Sequence, residues 1–100
     1  MKVRWTTPAL LDLNEAIAYI ANDNPKAALS VAARIAEATQ NLARHPGMGR
    51  PGRVPGTREL VISGTPYVVP YRVLGNRVDV LRVLHAARQW PKLEWHLLKG

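Results

Sequence analysis

Cysteine is absent from the 100 residues. A disulfide framework, a thiolate nucleophile and a Cys-ligated zinc are therefore excluded, and packing alone must hold the scaffold. A reducing compartment suits such a chain without being required by it. No run approaches the roughly 18 to 20 apolar residues of a membrane span, and the opening MKVRWTTPALLDLNEA lacks the apolar centre of a secretory signal, so we expect a soluble chain with no membrane partner. Several catalytic patterns are missing as well. There is no Gly-rich phosphate loop behind a strand, no Gly-x-Ser-x-Gly, and no ligand spacing among His45, His85 and His96, so neither metal nor cofactor is expected. Acids are scarce: the second half holds only Glu59, Asp79 and Glu94, which gives no pair spaced for acid/base work.

What is present is ordinary in amount and uneven in charge. Hydrophobic residues at 47% and charged residues at 21% describe one folding domain spanning residues 1–100, too short for two independent cores. The formal charge is +7, and it is lopsided: residues 1–47 carry five basic and four acidic groups, residues 48–100 nine and three. A positive field on one side attracts a polyanion or an acidic protein, although a merely solubilising face gives the same count.

Lys2 to Thr6 alternates as a short strand with Val3 and Trp5 inward. Thr7-Pro8 then reads as cap plus first-turn proline, and Leu10, Leu13, Ile17 and Ile20 predict a helix from about Pro8 to Ala21. Asn24-Pro25 repeats the device, and Ala28, Val31, Ile35, Ala38 and Leu42 predict a second helix reaching about Arg44. So short a connection forces the helices antiparallel, and their shared apolar stripe needs a sheet to cover it. The stretch 45–56, dense in Gly and Pro, is expected to be an irregular loop carrying Arg50 and Arg53. Strands are expected over Thr57–Ile62, Tyr67–Leu74 and Arg77–Ala86, and the apolar tail from Gln89 to Gly100 either docks as a helix or stays mobile. The fold class is thus α+β: an N-terminal strand, then an antiparallel helical hairpin packed on a small, mainly antiparallel sheet in the order β-α-α-β-β-β.

If Gly75-Asn76 closes a two-residue hairpin, Leu74 pairs with Arg77 and Arg72 lies opposite Asp79. Alternation then places Val68, Pro70, Arg72 and Leu74 with Arg77, Asp79, Leu81, Val83 and His85 on one face. Tyr67, Val69, Tyr71 and Val73 share the other with Val78, Val80, Arg82 and Leu84. The second face is the more apolar and should meet the helices, leaving Arg72 and His85 toward the open side and Arg82 in need of a partner or a bulge. Arginine is the remaining chemistry. Arg50, Arg53, Arg58, Arg72, Arg82 and Arg88 are candidates to grip a partner or a nucleic acid, since guanidinium groups bind phosphates bidentately but are poor bases. Cleavage would need His85, Glu59 or a Tyr to move a proton, which makes Arg72, His85 and Arg88 the set for a nuclease reading. The bland readings are an Arg72–Asp79 cross-strand ion pair and a structural His85.

Three runs, Tyr19 to Pro25, Gly49 to Leu60 and Leu81 to Pro91, in this element order resemble the RelE/ParE family of toxins from type II toxin-antitoxin modules, over about nine-tenths of the chain. The resemblance implies a bacterial cytoplasmic toxin, of the kind tied to plasmid stabilisation, neutralised by a cognate antitoxin that is acidic and partly disordered when free. RelE-type members cut messenger RNA on the ribosome and carry a basic residue just after the opening aromatic of the middle strand. ParE-type members poison DNA gyrase. Here the residue after Tyr67 is Val68, and the run holding Arg82, His85 and Arg88 is nearer ParE, so a gyrase poison is the leading expectation. A ribosome-dependent endoribonuclease is the second, and a non-toxic nucleic-acid-binding accessory protein the third.

Overall fold

Two short polar side chains decide where the helices begin. In the computed structural model, which describes residues 1–88, 90 and 91, the Thr6 hydroxyl accepts from the Ala9 N–H (3.3 Å) and the Asn24 side chain from the Ala27 N–H (3.1 Å). Strand β1 (Lys2–Trp5) leads to helix α1 (Thr7–Asp23), and the single residue Asn24 separates it from α2 (Pro25–Asn41). The cap of α1 is therefore Thr6 rather than Thr7, because the Thr6 hydroxyl also donates to the Leu81 carbonyl (3.1 Å) and ties the helix start to the sheet. Helix α2 stops three residues before Arg44. There Leu42, Ala43 and Arg44 each donate to the carbonyl three residues back, which winds the end into a tighter turn.

The sheet comprises β2 (Arg50–Pro51), β3 (Arg58–Val61), β4 (Tyr67–Leu74), β5 (Arg77–Val80), β6 (Leu84–His85) and β1, in the order β1-β5-β4-β3-β2, with β6 also on β4. Only β1–β5 is parallel. Leu74 pairs with Arg77 and Arg72 with Asp79, as the two-residue turn requires, and Gly75 supplies the positive φ of 58° at its first central position. The loop expected to be wholly irregular contributes β2 after all. It is a two-residue edge strand, a place where Pro51 needs no ladder donor.

The third long strand is broken. Leu81 and Arg82 both donate to the Pro70 carbonyl (2.9 and 3.5 Å), a bulge that reverses the alternation beyond it. Val83 therefore joins the helix-side core of Ile35, Leu42, Val69, Tyr71, Val78 and Val80, whereas Leu84 crosses to a second cluster with Val68, Leu81 and Trp90. These assignments correct the expected ones for Val83 and Leu84. His85 moves too: it pairs with Tyr67 and shares its side of the sheet, not the open side with Arg72. On α1, Ala9 and Ala16 face the core, and Leu10 is exposed. Apart from Trp90 and Pro91, the expected tail lies outside the described residues.

Tyr71 fastens the loop to this core. Its buried hydroxyl donates to the Pro46 carbonyl (2.7 Å) and accepts from the Gly49 N–H (2.8 Å), and a Cβ at position 49 would meet the Tyr71 ring at 2.7 Å. Tyr71→Phe leaves both backbone groups without a partner. We predict a loss of about 1–2 kcal/mol in denaturant-induced unfolding.

Candidate functional site

The seven residues singled out in the sequence fall into three places. His85, Arg82 and Arg88 meet at an open pocket of about 360 Å³ between α1 and the bulged strand, walled by Asp12, Glu15 and Tyr19 on the helix and by Tyr67 and Trp90 opposite. Arg50, Arg53 and Arg72 belong to the other side of the sheet. Arg58 belongs to neither surface: its Nη1 donates to the Gly49 carbonyl (2.7 Å) and, at 3.4 Å, to that of Gly47, so it serves to hold the loop.

In the pocket, the bulge fixes Arg82. Its Nε and Nη2 donate to the Asp12 carboxylate at 2.6 and 3.0 Å, and the same carboxylate accepts the Val83 N–H at 3.0 Å. The Asp12 hydrogen bond raises the Arg82 pKa against the opposing effect of burial, so this guanidinium is permanently charged. Arg88 lies over the Tyr19 ring, 5.0 Å from its centroid. His85 Nδ1 accepts from the Ala87 N–H (3.2 Å) and its ring stands edge-on to Tyr67 at 5.5 Å. The pocket is suited to holding a partner's polar group.

On the opposite face two buried carboxylates each gather arginines. Asp79, fully buried, accepts from Arg77 (Nε 2.8 Å, Nη2 3.4 Å), Arg4 (3.2 and 3.3 Å) and, at 3.5 Å, Arg72. Burial alone would push the Asp79 pKa up, but the hydrogen bonds and charges of Arg77 and Arg4 outweigh it and hold the carboxyl below its ordinary value. The expected Arg72–Asp79 pair thus exists as the longest of three, and the Arg72 Nε is buried with no hydrogen bond. Glu59, the other acid considered as a proton carrier, accepts from Arg50 Nη2 (3.2 Å) and the Arg53 N–H (2.9 Å). The Arg53 guanidinium stacks 3.6 Å from the Trp90 ring centroid.

Arg72 is thereby separated from His85 and Arg88 by the sheet itself. Sequence reasoning missed Arg4 and Arg77. Arg77 was within reach, since it precedes Asp79 by two on one strand, but Arg4 arrives only through the parallel β1–β5 register, which matches it with Asp79. Among the described residues no group of three His, Cys, Asp or Glu is placed to hold a metal ion, and no helix is long and apolar enough to cross a membrane.

Comparison with known proteins places this geometry. The family model described as ParE toxin of type II toxin-antitoxin system, parDE, matches residues 3–90. The chain is 49% identical over 92 residues to Y4kP of Sinorhizobium fredii, covering 92% of this chain and 95% of that protein. It is 40% identical over 87 residues to Toxin RelE2 of Caulobacter vibrioides, covering 87% and 97% respectively. A solved structure described as the chromosomal ParDE TA system from P. aeruginosa superposes with a TM-score of 0.77 at 32% identity, covering 85% of this chain and 95% of that one. With residues 3–90 matched by the family model and the fold shared over 85% of the chain, the chain belongs to the ParE toxin family of type II toxin-antitoxin systems.

Proposed function

We propose that this toxin is a binding poison of DNA gyrase, kept inactive in the bacterial cytoplasm by a cognate acidic antitoxin. The observation that carries the reading is Val68. The nuclease pattern of the wider family has a cation just after the opening aromatic of the middle strand, and here that position is a buried valine packed with Leu81, Leu84 and Trp90. A valine under a tryptophan holds no phosphate. The division of Arg72 from His85 and Arg88 by the sheet supports the same reading: the three do not converge on one scissile bond. For the antitoxin, the hairpin presents Leu10, Leu11, Tyr19 and Leu29 as exposed apolar side chains, a surface suited to an amphipathic segment that folds on docking, and the net charge of +7 favours an acidic one. Arg50, Arg53, Arg82 and Arg88 are the proposed partner-binding arginines. Arg58 contributes by holding the loop that leads to Arg50 and Arg53, and Arg72 packs against Asp79 on the face opposite the pocket.

A supercoiling assay with purified gyrase and antitoxin-free toxin tests the proposal. Inhibition with accumulation of cleaved DNA is the expected outcome, and no effect at excess toxin removes it. The second reading, a ribosome-dependent endoribonuclease, draws on the relatives named RelE2 and RelE1. It requires His85 to move a proton, so His85→Ala should abolish message cleavage if it is right, whereas the gyrase reading predicts no message cleavage by either protein.

A further inference from the structure

The arginines around Asp79 lie on the face opposite the pocket, and their arrangement has a use of its own. We infer that Lys2, Arg4, Arg72 and Arg77 form a phosphodiester-binding patch that takes the backbone of duplex DNA. The inference rests on the gyrase reading for its choice of DNA as the polyanion.

Register builds the patch. Arg4, Asp79 and Arg72 are matched across β1, β5 and β4, and Lys2 is matched with Arg77 two residues along, so four cations occupy two adjacent rows of one flat face. Adjacent strands are about 4.8 Å apart and alternate residues on one face nearly 7 Å apart, so the four lie within a single small area. Among the described residues, Asp79 is the carboxylate that pairs with Arg4, Arg72 and Arg77. Asp79 is fully buried beneath them, while the side chains of Arg77 and Arg4 are 41% and 36% exposed. Arg77 uses Nε and Nη2 on Asp79, which leaves its Nη1 available to a ligand. A guanidinium already held by a carboxylate loses little rotamer freedom when it accepts a phosphate. Asp79 is thus a positioning residue, and Arg72, at 16% side-chain exposure, adds field more than contact. Leu74 is the exposed apolar neighbour in these rows, and among the described residues no aromatic anchor of the sort that carries protein hot spots shares them. A flat, polar, preorganised cationic face favours a phosphate backbone over a peptide.

The test is fluorescence anisotropy of a labelled 20-base-pair duplex with the full chain from low to moderate salt, beside the gyrase assay. Each phosphate contact contributes about −0.9 to the log-log salt slope, so Lys2→Gln with Arg77→Gln should flatten it by about 1.8. Lys26→Gln with Arg44→Gln, the same charge loss on the helical side, should leave the slope unchanged. Lys2→Glu alone, at an exposed position, should weaken binding and checks the result should the double variant fold poorly. An unchanged slope in the double variant overturns the patch, and if wild type still inhibits gyrase, that reading stands without it. Equal slope losses in the two double variants overturn it as a mere net-charge effect. Binding of poly-glutamate in preference to the duplex, lost on Lys2→Gln with Arg77→Gln, overturns it in favour of an acidic protein partner. If wild type fails to inhibit gyrase, the gyrase reading fails, and the salt slopes still decide the patch.

Discussion

Asp79→Ala should lower unfolding stability by about 3 kcal/mol, a fall in Tm of roughly 12–24 °C for a domain this size. The carboxylate is fully buried and gathers Arg4, Arg72 and Arg77 from three strands. Removing it leaves mutually repelling guanidinium groups across the β1–β5–β4 seam. The loss sits at the low end for a broken buried pair because Arg4 and Arg77 reach water. The effect also has a pH signature. Since the folded-state pKa of Asp79 is held below its ordinary value, its stabilisation is fully present above about pH 4 and is lost as pH falls through that region toward the folded pKa. Wild type and Asp79→Ala should therefore differ most at neutral pH and converge in acid. Thermal melts from pH 7 down to pH 3 check this, and a gap that stays constant with pH would contradict it.

Asp12→Ala should cost about 2–3 kcal/mol, and its consequences should reach the pocket. One carboxylate, itself only 15% exposed, satisfies both the Arg82 guanidinium and the Val83 N–H. Without it the bulge keeps only its tie to the helix start, the Thr6 hydroxyl on the Leu81 carbonyl, and the segment leading from Arg82 to His85 is free to shift. Ring resonances of His85 and Tyr67 should move in Asp12→Ala and stay in place in Asp79→Ala, whose lesion is on the other face. Denaturant unfolding gives the energy. Unmoved rings in Asp12→Ala would show that the bulge positions itself without the helix.

The helices were legible because cap, proline and apolar period agree at both starts, and the β4–β5 hairpin because two turn residues leave one register. The bulge was legible in part: Arg82 on the apolar face called for a partner or a bulge and has both, but the reversal of Val83, Leu84 and His85 beyond it was not, although Pro70 was its signal. In an antiparallel ladder a residue's N–H and carbonyl address the same neighbour, and Pro70 has no N–H to return to the strand that donates to it. A ladder already missing one bond there is where an extra residue costs least, and the run Val-Asp-Val-Leu-Arg-Val-Leu-His conceals the slip because Val80, Leu81, Val83 and Leu84 offer apolar residues to both faces in either register. The error carried into the site: His85 was placed with Arg72, and a nuclease set was assembled from residues on opposite sides of a sheet. Arg4 was invisible for a different reason. No local pattern tells a first strand which later strand it joins in parallel.

A toxin that holds a macromolecular target and breaks no bond of its own leaves a distinct trace in the cell. When the chain is induced without an antitoxin and the DNA-damage response and protein synthesis are followed separately, the damage response should rise first and messages should stay intact. Arrest of translation with cleaved messages and undamaged DNA would rule out a gyrase poison.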